Sequence, residues 1–457
     1  MRTSVALLAV ATALLSLAAR PTEAQVLYGS LVVEARDSGG GAVPGASVTI
    51  TQQETGWTRS GVTTGAGTVT FAQVPPGTFS VRVTLQGFKE SLTTGVAVTE
   101  GGAARVASTL EVGQLNEEVT VAAGAAVLQT DRADVRTELN ATQLENLPVP
   151  IGRNYQSLFT LVPGITPPEN MHSTAVNPAR GLGFTANGTT RNANTIRIEG
   201  AIANNIWLPH VAAYVPALEA IESVSVTTST FDADLGLSGG MSANVLIKSG
   251  TNQFRGSAFE YHYDQGLKAK PFFLPAGQPK PNALENQAGG TLGGPIRQNN
   301  LFFFGSYQGT FDRQTSQRFG TVPTAAMRAG NLSASPTPIY DPRTGNASGT
   351  GRSAFDQNII PGYRLDPIVQ KLIAQLPLPT FTDRLTDNYF ASGRYTFTRH
   401  TVDGKVNWNA SNKLRFAGRV GWLNHNFVNP PMFGDLGGLP VNTTAAKMGQ
   451  GLGNTVT

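Results

Sequence analysis

Cysteine is absent from the 457 residues. That excludes disulfides, thiolate zinc sites, iron–sulfur clusters and a cysteine nucleophile. Histidine is almost as scarce, with five copies, and none falls in a His-x-x-Glu or His-Glu-x-x-His arrangement, so the sequence offers no metal site. No G-x-x-x-x-G-K-[ST] occurs, which leaves no phosphate cradle and no direct use of ATP. Charged residues make up 14%, well under the roughly 25% usual for soluble domains. A net charge of +4 is too small and too diffuse to mark a nucleic-acid surface or to drive disorder. Beyond the first residues there is no apolar run of the ~20 residues that a membrane helix needs.

What is abundant is glycine and proline, 51 and 28 copies. Both are poor in helix interiors, so a helical bundle or long coiled coil is excluded. The length predicts two to four units. The start sets the compartment. Met1-Arg2 is basic, Val5 to Leu17 is apolar, and Thr22-Glu23-Ala24 places small residues before a cut at Gln25. Residues 1–24 read as a secretory signal peptide. An exported chain without a helical span can enter a membrane only as a β-barrel.

Residues 25–113 read as a small β-sandwich. Phe79, Val81, Val83 and Leu85 alternate with Thr78, Ser80, Arg82 and Thr84, and Val48 and Ile50 alternate likewise. Asp37-Ser38-Gly39-Gly40, Pro44-Gly45 and Pro75-Pro76-Gly77 supply turns between such runs. Residues 127–250 read as mixed α/β. A helix is expected at Thr142–Leu147, stopped by Pro148, and a second at Tyr155–Val162, stopped by Pro163-Gly164. Strands are expected at Ile196–Gly200, Ile221–Val226 and Met241–Lys248. From residue 251 the chain turns to long amphipathic strands. Leu301, Phe303, Gly305, Tyr307, Gly309 and Phe311 share a face, as do Tyr389, Ala391, Gly393, Tyr395 and Phe397. Val402, Gly404, Val406 and Trp408 oppose Asp403, Lys405, Asn407 and Asn409, and Ala410-Ser411-Asn412 is a short turn before the next strand. An outward apolar face with terminal aromatics and an inward charged face is expected of a transmembrane barrel. The proline-rich stretch from Asp312 to Thr386 is expected to be a long extracellular loop.

Several of these stretches resemble known families. Gly29 to Asp37, Val43-Pro44-Gly45-Ala46, Val74 to Phe79 and Gly87-Phe88 resemble the carboxypeptidase regulatory-like domain, whose fold is related to carbohydrate-binding sandwiches. Trp57 and Phe88 are then candidate sugar-stacking rings, the alternative being local packing. Leu115 to Ala122 resembles the TonB box of outer-membrane receptors, here within a linker at 114–126. Such a box pairs its backbone with a partner's sheet edge; the alternative is a final strand or linker of the preceding domain. Gly152-Arg153-Asn154-Tyr155, Leu161 to Gly164, Asn187-Gly188 with Arg191 and Asn194, Ala220-Ile221-Glu222 and Gly239-Gly240 through Asn252 resemble the plug domain of TonB-dependent receptors. Gly289 to Pro295 and Leu301 to Gly305 resemble the Oar-like barrel. One departure is Glu199-Gly200, where Asp-Gly is usual.

The resemblance implies a mainly β chain: an Ig-like or carbohydrate-binding-like sandwich, an α/β plug, and the first strands of an antiparallel transmembrane β-barrel. It implies an outer-membrane receptor that takes up a siderophore, oligosaccharide or peptide, driven by inner-membrane proton-motive force. Glu118, Val119, Thr120 and Val121 would couple to a TonB-type protein, and Arg153, Arg191, Arg197 and Glu199 would form the plug's polar network. The implied partners are that protein, outer-membrane lipid and a small extracellular ligand, a carbohydrate among the candidates, with no nucleic acid. No cofactor and no enzymatic activity are implied, and the N-terminal domain would be periplasmic. The other readings are an outer-membrane carbohydrate-binding or adhesion protein anchored by its barrel, and a soluble sandwich-plus-plug product. The 207 residues after position 250 hold about six strands, whereas plugged transporter barrels have about 22. The sequence therefore reads as part of a longer chain or a truncated gene product. Gly236-Leu237-Ser238-Gly239-Gly240 fits G-x-S-x-G, but β-compatible residues follow it, and a hydrolase elbow needs a helix there. Asp232 and Asp234 supply too few oxygens for calcium.

Overall fold

The structure is a computed structural model. It describes residues 28–113, 118–122, 134–149, 152–168, 181–205, 207–231, 235–236, 238–272, 274, 277, 279–411, 414–442 and 449–457. The signal peptide, Leu115 to Glu117, Asp232, Asp234, Leu237 and Asn412 lie outside these residues.

The chain is mainly β, in four sheets. The first two make a sandwich from β1 (Gly29–Asp37), β2 (Ser47–Gln52), β3 (Thr58–Val62), β4 (Thr68–Val74), β5 (Gly77–Thr84), β6 (Glu90–Val98), β7 (Ala103–Leu110) and β8 (Glu118–Ala122). One sheet runs β4-β1-β7 and the other β3-β2-β5-β6-β8. Alternation decides which residues meet between them. Phe79, Val81 and Val83 of β5 are fully buried against Leu31, Val33, Val48 and Ile50, while Ser80 and Arg82 point away.

A third sheet, ordered β11-β10-β13-β12-β9, is built from β9 (Val135–Asn140), β10 (Thr195–Ile198), β11 (Ala201–Ile202), β12 (Ile221–Ser229) and β13 (Ser242–Ile247). Between β9 and β10 lies helix α1 (Ala141–Asn146). Asn140 caps it by accepting from the Gln143 backbone, and the Gln143 side chain returns the bond. The second expected helix, at Tyr155–Leu161, is wound as a tighter 3₁₀ turn that buries Tyr155, Leu158 and Phe159. Their core reaches the next sheet, because Phe304 and Leu423 belong to the same cluster.

That next sheet is an antiparallel meander of β14 (Arg255–Asp264), β15 (Ala283–Arg297), β16 (Leu301–Gly320), β17 (Tyr389–Asn409), β18 (Arg415–Asn429) and β19 (Gly449–Val456), each paired with its neighbours in order. The β15–β16 and β17–β18 turns are short, and the connections at the other end are long. The longest, residues 321–388, carries α2 (Ala325–Arg328) and α3 (Pro367–Gln375) and is pinned by an Arg364–Asp341 ion pair. β16 continues to Gly320, so this loop begins nine residues later than the sequence suggests.

β17 corrects one expectation. It is a single strand of 21 residues, so side-chain parity runs through it unbroken. Asp403 and Lys405 are buried on the inner face, and Val406 and Trp408 are exposed on the outer. The same parity sends Ala391, Tyr395 and Phe397 inward, not outward. The apolar residues change sides near residues 398–401. Toward the short turns the apolar face looks outward, as lipid demands. Beyond the switch the outward residues include Ser392 and Arg394, and the apolar ones pack inside against Met432, Val441 and Phe427, as they must where the outside is water. At the short-turn end Trp408 stacks on Phe416, centroids 5.3 Å apart, where an aromatic girdle belongs.

Candidate functional site

The inner face of the meander is polar, and among the described residues the α/β unit is tied to it by Asn407 Nδ2 donating to Ser249 Oγ at 2.9 Å and by three further sets of contacts. Glu199 and Gly200 form the two-residue turn between β10 and β11, both with positive φ. Such a turn favours Asn-Gly or Asp-Gly, and a glutamate there is held by its side chain. Its Oε1 accepts from the Ile247 backbone N–H at 2.7 Å and from Lys405 Nζ at 2.7 Å. Lys405 also donates to Ile247 O at 2.8 Å. The second tie is Tyr214, whose hydroxyl donates to Asp403 Oδ2 at 2.9 Å. Burial, and then the Asp403 charge, push the phenol above its ordinary value, so it stays a donor. Asp403 is also paired with Arg419. The third is Arg153, with a positive φ. It donates to Glu219 at 2.9 Å and lies 3.8 Å over the Tyr261 ring of β14.

Of the four residues expected in this network, Arg153 and Glu199 reach the wall. Arg197 is buried and donates to the carbonyls of Gly200 and Gly236, bracing the hairpin. Arg191 is exposed on a 3₁₀ turn, apart from the others. The wall-side partners Lys405 and Asp403 were legible as inward residues of an alternating strand. Tyr214 and Glu219 gave no signal, since their roles depend on distant partners. Ser238 precedes strand β13 rather than a helix, as expected for a G-x-S-x-G without an elbow.

The sandwich sits against the same unit. In the turn between β6 and β7, Glu100 is buried and accepts from Asn244 Nδ2, while Arg136 donates to the Glu100 carbonyl. Gly101 has positive φ, which favours glycine, and a Cβ there would push the Arg136 guanidinium aside. Burial, reinforced by the Glu199 charge, raises the Glu100 carboxyl to about 7. On the other side of the seat, Asn252 N donates to Glu54 O at 2.9 Å. Asn252 also exchanges side-chain bonds with Asn299 in the β15–β16 turn. A cavity of about 700 Å³ lies between sandwich, α/β unit and strand ends, lined among others by Glu54, Thr78, Glu222, Lys248 and Lys405.

Glu118, Val119, Thr120 and Val121 lie in β8, paired in parallel with β6 at the sheet edge. Trp57 corrects the sugar-stacking expectation. It is 6% exposed, meets Phe79 edge-on at 6.3 Å, and belongs to the sandwich core, so its ring is closed to solvent. Phe88 is half-buried against that core. Among the described residues no group of three or more potential metal ligands occurs.

Comparison with known proteins agrees with this architecture. Residues 30–111 match the carboxypeptidase regulatory-like domain, and residues 246–457 match the outer membrane beta barrel domain. The chain is 25% identical over 272 residues to the TonB-dependent transporter Oar of Myxococcus xanthus, covering 56% of this chain and 24% of that protein. It thus spans about a quarter of the length of that curated relative. Among solved structures it is similar to the outer membrane transporter YddB of Escherichia coli, at 12% identity and TM-score 0.39, over 65% of this chain and 34% of that one. It is also similar to the ferric enterobactin receptor PfeA of Pseudomonas aeruginosa, at 13% identity and TM-score 0.34, over 64% and 33%. The chain is thus similar to Oar over part of its length, with residues 30–111 matching the regulatory-like domain and residues 246–457 the outer-membrane barrel domain.

Proposed function

We propose that this chain takes up a small ligand across the outer membrane, with its α/β unit serving as a plug and a TonB-type protein as the source of force. One observation carries the reading. The residues facing lipid are apolar and those facing inward are charged, and the α/β unit fills that charged side through a few polar ties. A plug held to the wall mainly by bonds of this kind, with only Phe304 and Leu423 of the described wall residues joining its apolar core, is displaceable. Short turns then face the periplasm and long loops the exterior, with 25–113 a periplasmic sandwich, 114–126 a coupling linker, 127–250 the plug and 251–457 barrel strands.

Glu118, Val119, Thr120 and Val121 are the proposed coupling residues, because an extended edge strand is the form a strand-adding partner takes hold of. No bond is made or broken in this reading, so it requires no catalytic group. The ligand class stays open among siderophore, oligosaccharide and peptide. The test is accumulation of labelled candidates from each class in cells with and without the gene, before and after collapse of the proton-motive force. Uptake that needs both the gene and the force supports transport. Surface binding that never becomes uptake overturns it in favour of an anchored binding protein.

A further inference from the structure

The coupling strand is already partnered. β8 lies parallel on β6, in a register that runs from Glu90↔Glu118 through Ser91↔Val119, Leu92↔Thr120 and Thr93↔Val121 to Thr94↔Ala122. The other edge of β6 is taken by β5, so β8 closes the sheet on that side. A strand-adding partner therefore meets β8 with one of its two edges already paired. A five-residue hairpin or ladder is marginal by itself, yet here it is one edge of a sandwich with its own core.

The sandwich in turn is seated. Glu100 is bound by Asn244, Arg136 holds the turn around it, and Asn252 holds the Gln52–Trp57 loop. The seating decides what a pull would do. A domain on a loose tether follows the pull, and its ladder carries no load. A domain bonded to the plug and to a barrel turn resists, and the load falls on the β6–β8 ladder. The same seat covers the underside of the plug, where Glu199 and Lys405 lie.

We propose that the sandwich is a latch: it holds the coupling strand on its β6 edge while docked beneath the plug, and the strand becomes available to its partner only by leaving that edge. The proposal rests on the coupling reading of Glu118–Val121.

The cysteine-free chain makes the test clean. Leu92→Cys with Thr120→Cys places two thiols opposite each other in register, within disulfide reach. Leu92→Cys with Ala122→Cys is two residues out of register and serves as control. Both pairs are made in the protein as it stands in the outer membrane, and oxidised without unfolding. The probe is the purified periplasmic domain of the host's TonB-type protein. The latch requires efficient cross-linking of the in-register pair over the control, loss of probe binding on cross-linking, and recovery on reduction. A pair that fails to cross-link shows that the strand is not docked, and overturns the proposal. A cross-linked protein that binds the probe as well as the reduced one shows addition to the outer edge of β8 without release, and also overturns it. Failure of the probe to bind even the reduced and the unsubstituted proteins, with cross-linking intact, removes the coupling reading itself and the release step with it.

Discussion

Glu199 Oε1 and Lys405 Nζ, 206 residues apart in the chain, stand 2.7 Å apart across the boundary between two sheets. Both side chains are largely buried. The pair exists because a tight turn lifts the glutamate out of β10 and strand parity turns the lysine inward. Removing one partner of such a pair leaves the other charge buried and uncompensated, at about 3–5 kcal/mol. Glu199→Gln should therefore loosen the plug in urea unfolding followed by a plug-specific probe. Adding Lys405→Met should restore a good part of the loss, because the double variant leaves no orphan charge. If the two losses simply add, the pair is not coupled.

Glu100 makes the sandwich seat sensitive to pH. Docked, its carboxyl titrates near 7; undocked, it returns to its ordinary value of 4.5. Between those values the docked form binds a proton that the undocked form lacks, so docking weakens as pH rises from about 4.5 to 7 and is level above that. The shift sets an upper limit of about 3 kcal/mol at ~1.36 kcal/mol per unit. Spin labels at the exposed Ser60 and Thr142 would report it as a distance distribution that broadens toward neutral pH. Glu100→Gln should keep a narrow distribution across the range. A pH response that survives this substitution would assign the proton elsewhere.

Trp57 has a structural role that composition could not reveal. A buried ring edge-on to Phe79 is worth about 3–5 kcal/mol when cut to alanine. Trp57→Ala should lower the stability of the sandwich by that order in denaturant titration. Any affinity of the protein for oligosaccharides should be unchanged while the sandwich remains folded. Loss of sugar binding under folding conditions would return the ring to a ligand site.

How much of this was readable follows a physical line. Local signals were sound: the Phe79–Val83 alternation, the Pro148 stop and the inward set Asp403 and Lys405 all depend on neighbours within a few residues. Tyr395 and Phe397 misled because alternation reports that two faces differ, not which solvent each one meets. A change of the outer surroundings along β17 from lipid to water would move the apolar side in this way. For Trp57 the sequence left sugar stacking and local packing open, since an isolated aromatic in a turn-rich stretch has no period to betray its burial, and its place in the sandwich core agrees with packing. Glu100, Tyr214 and Glu219 were silent because each acts through a residue more than 30 positions away.

The lipid face offers a direct check on that change of solvent. Val406 is exposed on the outer face of β17, two residues from the Trp408–Phe416 stack. A charge on the lipid side of a barrel costs about 2–4 kcal/mol near the membrane middle and falls to about 0–1 at its edge. Val406→Arg should fall between these limits, and the same charge at Val402, just inside the parity switch at the opposite rim, should cost a comparable amount. Thr396→Arg, beyond the parity switch, should cost little. Equal costs at Val402 and Thr396, measured by folding into vesicles, would place the switch inside the bilayer rather than at its rim.

The coupling strand gives the last expectation. Proline at Thr120 removes a backbone donor from β8 and fixes its φ, so it opposes any ladder on that strand. Thr120→Pro should abolish energised uptake and leave ligand binding at the cell surface intact, because the long loops are untouched. It should also free β8 from β6, which separates two effects that a simple loss of function would merge. A latch that only restrained the strand would leave Thr120→Pro more open and more active. A strand that must itself be gripped leaves it inactive though released. Retained uptake would therefore remove Glu118–Val121 as the coupling site. Lost uptake together with a β6 edge newly accessible to hydrogen exchange would assign β8 both roles, held by one sheet and pulled by another.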